Sequence, residues 1–271
     1  MSDFDRNAAS AQYGRPFTRA EAAVVDEGLR AHMLRIYNYM VLGLAITGLA
    51  ALGIYMLSVT ADAGSAAHSA SGAAVALRNG IYLTPVGYAL FVSPLKWVVI
   101  LAPLALVFFL SFRIDSMQPS IAQVLFWVYA ALVGVSLGSI FLIYTHTSIV
   151  RVFFITAASF GALSLWGYTT QRDLTAIGSF LIMGLFGIVI ASLVNVFLGS
   201  TMLQWAISVI GVLVFAGLTA YDTQRLKSEY IYGAMEGAVM ERSAIMGALS
   251  LYLDFLNLFT MMLQLLGQRD E

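Results

Sequence analysis

Ser250-Leu-Tyr-Leu-Asp254-Phe-Leu-Asn257-Leu-Phe259 sets a carboxylate in the middle of the last long apolar stretch of the chain. No water reaches that depth if the stretch crosses a membrane. An acid near the centre of a membrane helix costs about 2.5–3.5 kcal/mol on insertion scales, so a chain that keeps one generally uses it. Crossing a hydrocarbon core of about 30 Å takes roughly 20 apolar residues of helix. Outward from Asp254, six further stretches meet that length, giving spans near 34–58, 95–113, 120–145, 149–169, 176–198, 202–225 and 243–266. Backbone groups in lipid must pair within their own segment, which predicts helices. None of the stretches has the dyad alternation of an outer-membrane barrel. The predicted fold class is an all-α integral membrane protein with seven transmembrane helices.

Composition agrees. Of 271 residues, 60% are hydrophobic and 11% charged, with a mean hydropathy of +0.84. Soluble domains carry about 25% charged residues. A net charge of −1 leaves no electrostatic footprint for nucleic acid. The absence of cysteine excludes disulfides, thiolate catalysis and Cys-ligated metals. The first thirty residues are polar, so no cleavable signal is expected there and the first span serves as its own signal.

Lys and Arg set the orientation. With the N-terminus in the cytoplasm, Arg6, Arg15, Arg19, Arg30, Arg35, Arg113, Arg172, Arg225, Lys227 and Arg242 lie inside, ten of the fourteen basic residues. Arg78, Lys96, Arg151 and Arg269 lie outside. Seven spans then place the C-terminus outside, whereas six spans with a re-entrant last helix place it inside. Residues 1–33 read as a cytoplasmic tail. Its first nineteen residues are expected to be mobile, and residues 20–33 are expected as an amphipathic helix with Ala23, Val24, Leu29 and Met33 on one side. The outside segment 59–93 is rich in Ala, Ser and Gly, which predicts a flexible loop. Pro103 marks a kink in the second span.

Polar residues in the last two spans form stripes. Ser243, Gly247, Ser250, Asp254, Asn257, Met261 and Gln264 share one side of the seventh span. Thr201, Gln204, Ser208, Gly211, Phe215, Thr219 and Asp222 share one side of the sixth. A polar stripe on an apolar helix faces protein or water rather than lipid. The two are predicted to face each other, or a common crevice, with Asp222 and Asp254 near its inner end. Ser250, Asn257, Thr219 and Ser208 would line that path. Two carboxylates so placed do not both ionise freely, and they titrate as a unit. Sharing one proton, they tie the helices together. Fully ionised, they repel each other and attract a cation. Oxygen-only ligands suit a hard ion such as Ca²⁺, with Asp222 and Asp254 as the metal-binding groups. If the seventh helix starts at Ser243, Asp254 lies about 16 Å along it. The acids then meet only if the sixth helix ends deep or the seventh begins outside the bilayer.

Other motifs carry less. Arg113, at the end of the second span, reads as a positive-inside anchor or as a partner for Asp222. Asn195 reads as packing. Gly134-Val-Ser136-Leu-Gly138 matches the nucleophile motif of serine hydrolases, but that motif needs a strand–turn–helix elbow and this one lies within a membrane helix. His146, the nearest base, is about 15 Å further along. His32, His68 and His146 are scattered on or near the surface with no zinc-site spacing. Lys96 and Lys227 are the only lysines, and neither lies mid-span in the last helix as a retinal Schiff base requires. The reading is non-enzymatic, without a cofactor.

Ala220-Tyr221-Asp222-Thr223-Gln224-Arg225-Leu226-Lys227 and Ile245-Met246-Gly247-Ala248-Leu249-Ser250-Leu251-Tyr252-Leu253-Asp254-Phe255-Leu256-Asn257-Leu258-Phe259 resemble the two signature stretches of the transmembrane Bax-inhibitor-motif family, in its bacterial branch. The resemblance extends over roughly residues 34–268. It implies a bundle with the C-terminal helix central and the other six around it. It also implies a pH-sensitive Ca²⁺ leak in the inner membrane, with Asp222 and Asp254 as the sensor and Arg113 as the candidate latch. Many members carry an arginine late in the last helix, where this chain has Gln264. Eukaryotic relatives are tied to suppression of cell death. A bacterial relative is tied to modulation of a membrane-bound protease, so the alternative reading is a non-conducting regulator of such a protease or of a stress-response complex. The expected partners are the lipid bilayer, Ca²⁺ and protons, with the protein a monomer or weak oligomer.

Overall fold

A computed structural model describes residues 19–68, 73–78, 80–232 and 237–270. The expectations for residues 1–18 and for 69–72 of the outside loop lie outside the described residues, as do the side chains of Ala23, Val24 and Arg78.

The helices are α1 (Arg19–Ser58), α2 (Pro85–Phe91), α3 (Lys96–Arg113), α4 (Pro119–Leu137), α5 (Ile140–Ile143), α6 (His146–Thr169), α7 (Thr175–Leu198), α8 (Thr201–Tyr232) and α9 (Ala238–Leu266). Seven segments are long and apolar enough to cross a membrane: 26–58 within α1, α3, α4 with α5, α6, α7, 201–230 within α8, and α9. The protein is an all-α integral membrane protein. Phe180, Met183, Phe186, Ile190 and Phe197 stand exposed along α7. Apolar surface on that scale is stable against acyl chains and not against water.

Three boundaries differ from the sequence reading. The amphipathic lead-in and the first span are one continuous helix of 40 residues, about 60 Å long. No proline interrupts it, so nothing ends the first segment before the second begins. The third span breaks between α4 and α5, where Gly138 N donates to both Gly134 O and Val135 O at 2.9 and 3.3 Å. The described residues of the loop after the first span are structured. Strands β1 (Val59–Thr60), β2 (Ala76–Arg78) and β3 (Ile81–Leu83) form an antiparallel sheet in the order β1-β3-β2. Gly80, at φ +76°, supplies the tight turn between β2 and β3. Thr84 then caps α2 by accepting from Gly87 N at 3.1 Å. The Ala/Ser/Gly composition masked the short β-forming run Ile81-Tyr82-Leu83.

The chain divides into two units. The first comprises residues 1–40 and 151–266. Its core is α9, half of whose apolar stretch is buried inside the protein, against a third or less in each of the other six spans. Phe255 meets Phe153 and Phe160 edge-on at ring distances of 5.6 and 5.5 Å. Small residues bring backbones together. A Cβ on Gly167 would run into Ala220 O, and one on Gly178 into the Tyr221 ring. At the α6–α7 turn, Asp173 Oδ1 accepts from Thr175 N and Thr175 Oγ1 at 2.9 and 2.6 Å. Those bonds hold its carboxyl below the usual carboxylate range.

The second unit comprises residues 41–150 and 267–271. Here Gly134 admits α1 closely, since a Cβ would lie 2.5 Å from Thr47 O. The C-terminal tail closes on the α5–α6 turn through Thr145 N to Gln268 O (3.0 Å) and Asp270 N to Ile143 O (2.9 Å). That turn follows the third span. The last helix, α9, is unbroken over 29 residues, about 44 Å, long enough to cross a membrane.

Pro103 and Ser136 explain each other. Proline has no N–H, so α3 leaves the Val99 carbonyl without its helical donor. Ser136 Oγ donates to Val99 O at 2.6 Å. In lipid an orphan carbonyl must find such a partner. The motif Gly134-Val-Ser136-Leu-Gly138 is a helix-packing surface whose serine proton is committed to a backbone carbonyl, and the elbow geometry of a hydrolase is not formed.

Candidate functional site

Successive residues on a helix point about 100° apart, so a short motif can hold several elements at once. Residues 221–225 of α8 do so. Tyr221 lies against Gly178 of α7. Asp222 turns to Asp254 of α9, their carboxyl groups meeting within hydrogen-bonding reach. Thr223 meets Ser164 of α6 at 2.9 Å. Gln224 clasps the α6–α7 turn, its Oε1 accepting from Leu174 N and its Nε2 donating to Arg172 O, both at 2.8 Å. Arg225 lies beside Asp222 on the same face, Nη1 to Oδ1 at 3.3 Å.

The hydroxyl chain has a fixed direction. Thr223 Oγ1 donates to Thr219 O at 2.7 Å, and a carbonyl only accepts. Ser164 therefore donates to Thr223, and Tyr37 of α1 donates to Ser164 at 2.6 Å. The chain ends on backbone, so it fastens α1, α6 and α8 around Asp222 without delivering a proton to it.

The acid pair is the chemical centre. Asp222 is 9% exposed and Asp254 6%. Among the described residues no donor reaches Asp254 Oδ2, which is fully buried. A carboxylate only accepts, so two facing carboxylates hold no hydrogen between them. A proton on either one completes the bond. The earlier geometric tension is resolved by helix length: α8 continues past Arg225 to Tyr232, and α9 begins at Ala238, before Ser243.

The two polar stripes do face each other. Below the acids, Ser250 Oγ lies 3.4 Å from Arg225 Nη2. Between the ends, Gly211 faces Met261, whose Cγ would stand 2.9 Å from an added Cβ. At the far end Gln264 Oε1 accepts from Gln204 Nε2 at 2.6 Å and from Ser208 Oγ at 2.7 Å. Asn195 extends this network, its Nδ2 donating to Gln204 Oε1 at 3.0 Å and its Oδ1 accepting from Ser200 N at 3.0 Å. Two stripe residues turn inward on their own helices. Thr219 Oγ1 donates to Phe215 O at 2.8 Å, and Asn257 Nδ2 to Leu253 O at 2.9 Å.

Arg113 ends α3 with an exposed side chain, in the second unit. The guanidinium that reaches Asp222 is that of Arg225, which the sequence reading counted only as an inside charge. Its spacing, three residues after Asp222, was the available signal. His32 corrects the surface reading of the histidines. It is 3% exposed, stacked on Tyr230 at 5.1 Å, because Gly28 and the start of α1 lie against the end of α8. Among the described residues no three His, Cys, Asp or Glu side chains converge as a metal cage. Ca²⁺ takes about six to eight oxygens, more than the two carboxylates alone supply.

Relatives share this chain nearly end to end. An uncharacterized protein of Rickettsia prowazekii is 45% identical over 94% of this chain and 96% of its own. A protein of Caulobacter vibrioides is 42% identical over the whole of both chains. The Escherichia coli inner membrane protein YbhL is 42% identical over 93% of this chain and 98% of its own. The family model described as inhibitor of apoptosis-promoting Bax1 matches residues 29–271, a range that takes in all but the first three residues of the first span, the other six spans and both facing acids. The chain therefore belongs to the Bax-inhibitor family, as a multi-pass membrane protein.

Proposed function

We propose that the protein is a slow, pH-sensitive Ca²⁺ leak of the bacterial inner membrane, with its N-terminus in the cytoplasm and its flux controlled by Asp222 and Asp254. The observation that carries this reading is the buried, facing pair of carboxyls with no donor at Asp254 Oδ2. With one proton the pair bonds α8 to α9 and carries a single negative charge. Without it, two negative charges repel each other across a buried site. They separate the helices or recruit a cation, and their oxygen-only ligands favour a hard one. Ser250, Asn257 and water complete a transient shell. The name of the Escherichia coli relative supports the inner-membrane location, and the Lys/Arg distribution supports the orientation.

The test is Ca²⁺ entry into liposomes containing the purified protein, followed with an entrapped indicator at several pH values. The expected result is a flux above that of empty liposomes whose rate changes with pH. Absence of flux at every pH contradicts the leak.

A further inference from the structure

Resting on the reading of Asp222 and Asp254 as the cation site, we infer that Arg225 is a tethered competitor for that site and that Glu229 is its alternative seat.

The geometry is that of a guanidinium divided between two carboxylates. Asp222, Arg225 and Glu229 lie on one face of α8 at spacings of three and four residues. Arg225 Nη1 stands 3.3 Å from Asp222 Oδ1, and Nε stands 3.3 Å from Glu229 Oε1. A charge-assisted N–H···O bond closes to about 2.7–2.9 Å, so neither pair is closed. Nε is within ion-pair range of Glu229 yet buried without a hydrogen bond. The third acceptor, Ser250 Oγ on α9, is also distant, at 3.4 Å. A small swing toward either acid would tighten one pair and open the other.

The two acids differ in surroundings. The Asp222 side chain is 12% exposed, that of Arg225 38%, and that of Glu229 46%. Arg225 thus bridges the buried pair and the wet end of α8. Among the described residues, the charged groups set against it are Asp222 and Glu229 on its own helix and Asp254 on α9. Lys227 is turned away, its Nζ donating to Tyr168 O at 3.1 Å. Seated on Asp222, the guanidinium neutralises part of the pair's charge and repels an arriving divalent ion. Seated on Glu229, it leaves Asp222 and Asp254 to that ion. Arg225 and Ca²⁺ therefore exclude each other, and Glu229 sets how often the site is open.

Ca²⁺ binding to the full-length protein in detergent, followed by Ca²⁺-dependent thermal stabilisation, tests this independently of flux. Arg225→Gln is expected to lower the half-saturating Ca²⁺ concentration about three- to fivefold, a size suited to partly exposed charge pairs. Glu229→Gln is expected to raise it, because Arg225 then rests on Asp222. The double variant is expected to behave as Arg225→Gln alone, since Glu229 acts only through Arg225. Glu229 is exposed, so its substitution is a usable test even where Arg225→Gln fails to fold. Unchanged or weaker binding in Arg225→Gln, unchanged or tighter binding in Glu229→Gln, or an equal Glu229 effect with and without Arg225 overturns the inference. Wild-type protein that neither binds nor passes Ca²⁺ overturns the cation site itself. Wild-type binding with unshifted variants overturns only the role of Arg225.

Discussion

At the scale of single residues, the structure is governed by where unpaired polar groups go. Asp254 was legible in the sequence because every neighbour is apolar. Ser136 was not, because its role depends on a proline 33 positions earlier on another helix. Removing its hydroxyl strands Val99 O. Ser136→Ala is expected to destabilise the protein by about 1–3 kcal/mol, the cost of a buried acceptor left without a donor. In Pro103→Ala the alanine N–H can satisfy Val99 O. In Pro103→Ala/Ser136→Ala the loss is therefore expected to be smaller than in Ser136→Ala alone. A double-mutant cycle on unfolding in detergent checks this, and strict additivity would remove the link. Arg225 was missed for a different reason. Counting it as an inside charge hid its position on the same face as Asp222, whose spacing was plain in the sequence.

At the scale of elements, the spans were readable from hydropathy and length, and the facing stripes of α8 and α9 from periodicity. The sheet of the outside loop was not, because strands of two or three residues leave almost no pattern. Nor was the fusion of the lead-in helix with the first span. Helix proximity depends on particular glycines, and the sequence does not show which ones face a neighbour. Gly178 lies against the Tyr221 ring, whereas an added Cβ on Gly161 meets nothing within 4 Å. Gly178→Val is expected to destabilise the α7–α8 packing by about 1–3 kcal/mol or more, as overpacking does. Gly161→Ala is expected to be neutral or to stabilise by up to about 1 kcal/mol through helix propensity. Thermal unfolding of the two variants decides between them. Equal effects would mean that α7 and α8 do not meet at Gly178.

At the scale of the whole molecule, the proposed cytoplasmic N-terminus with seven crossings would put the C-terminal tail outside. The chain contains no cysteine, so single cysteines can be placed on an otherwise unreactive background. Arg269→Cys is expected to react with a membrane-impermeant thiol reagent in intact spheroplasts, and Arg172→Cys only after permeabilisation. The reverse pattern would invert the topology. The central claim is that Asp222 and Asp254 share a proton and thereby govern Ca²⁺ passage, and the most direct measurement is the pH profile of Ca²⁺ flux through Asp254→Asn in proteoliposomes, beside wild type. Asparagine neither releases nor takes up the proton, so the account predicts that the wild-type dependence on pH collapses to a nearly flat profile. A variant whose flux rises and falls with pH as the wild type does would contradict it.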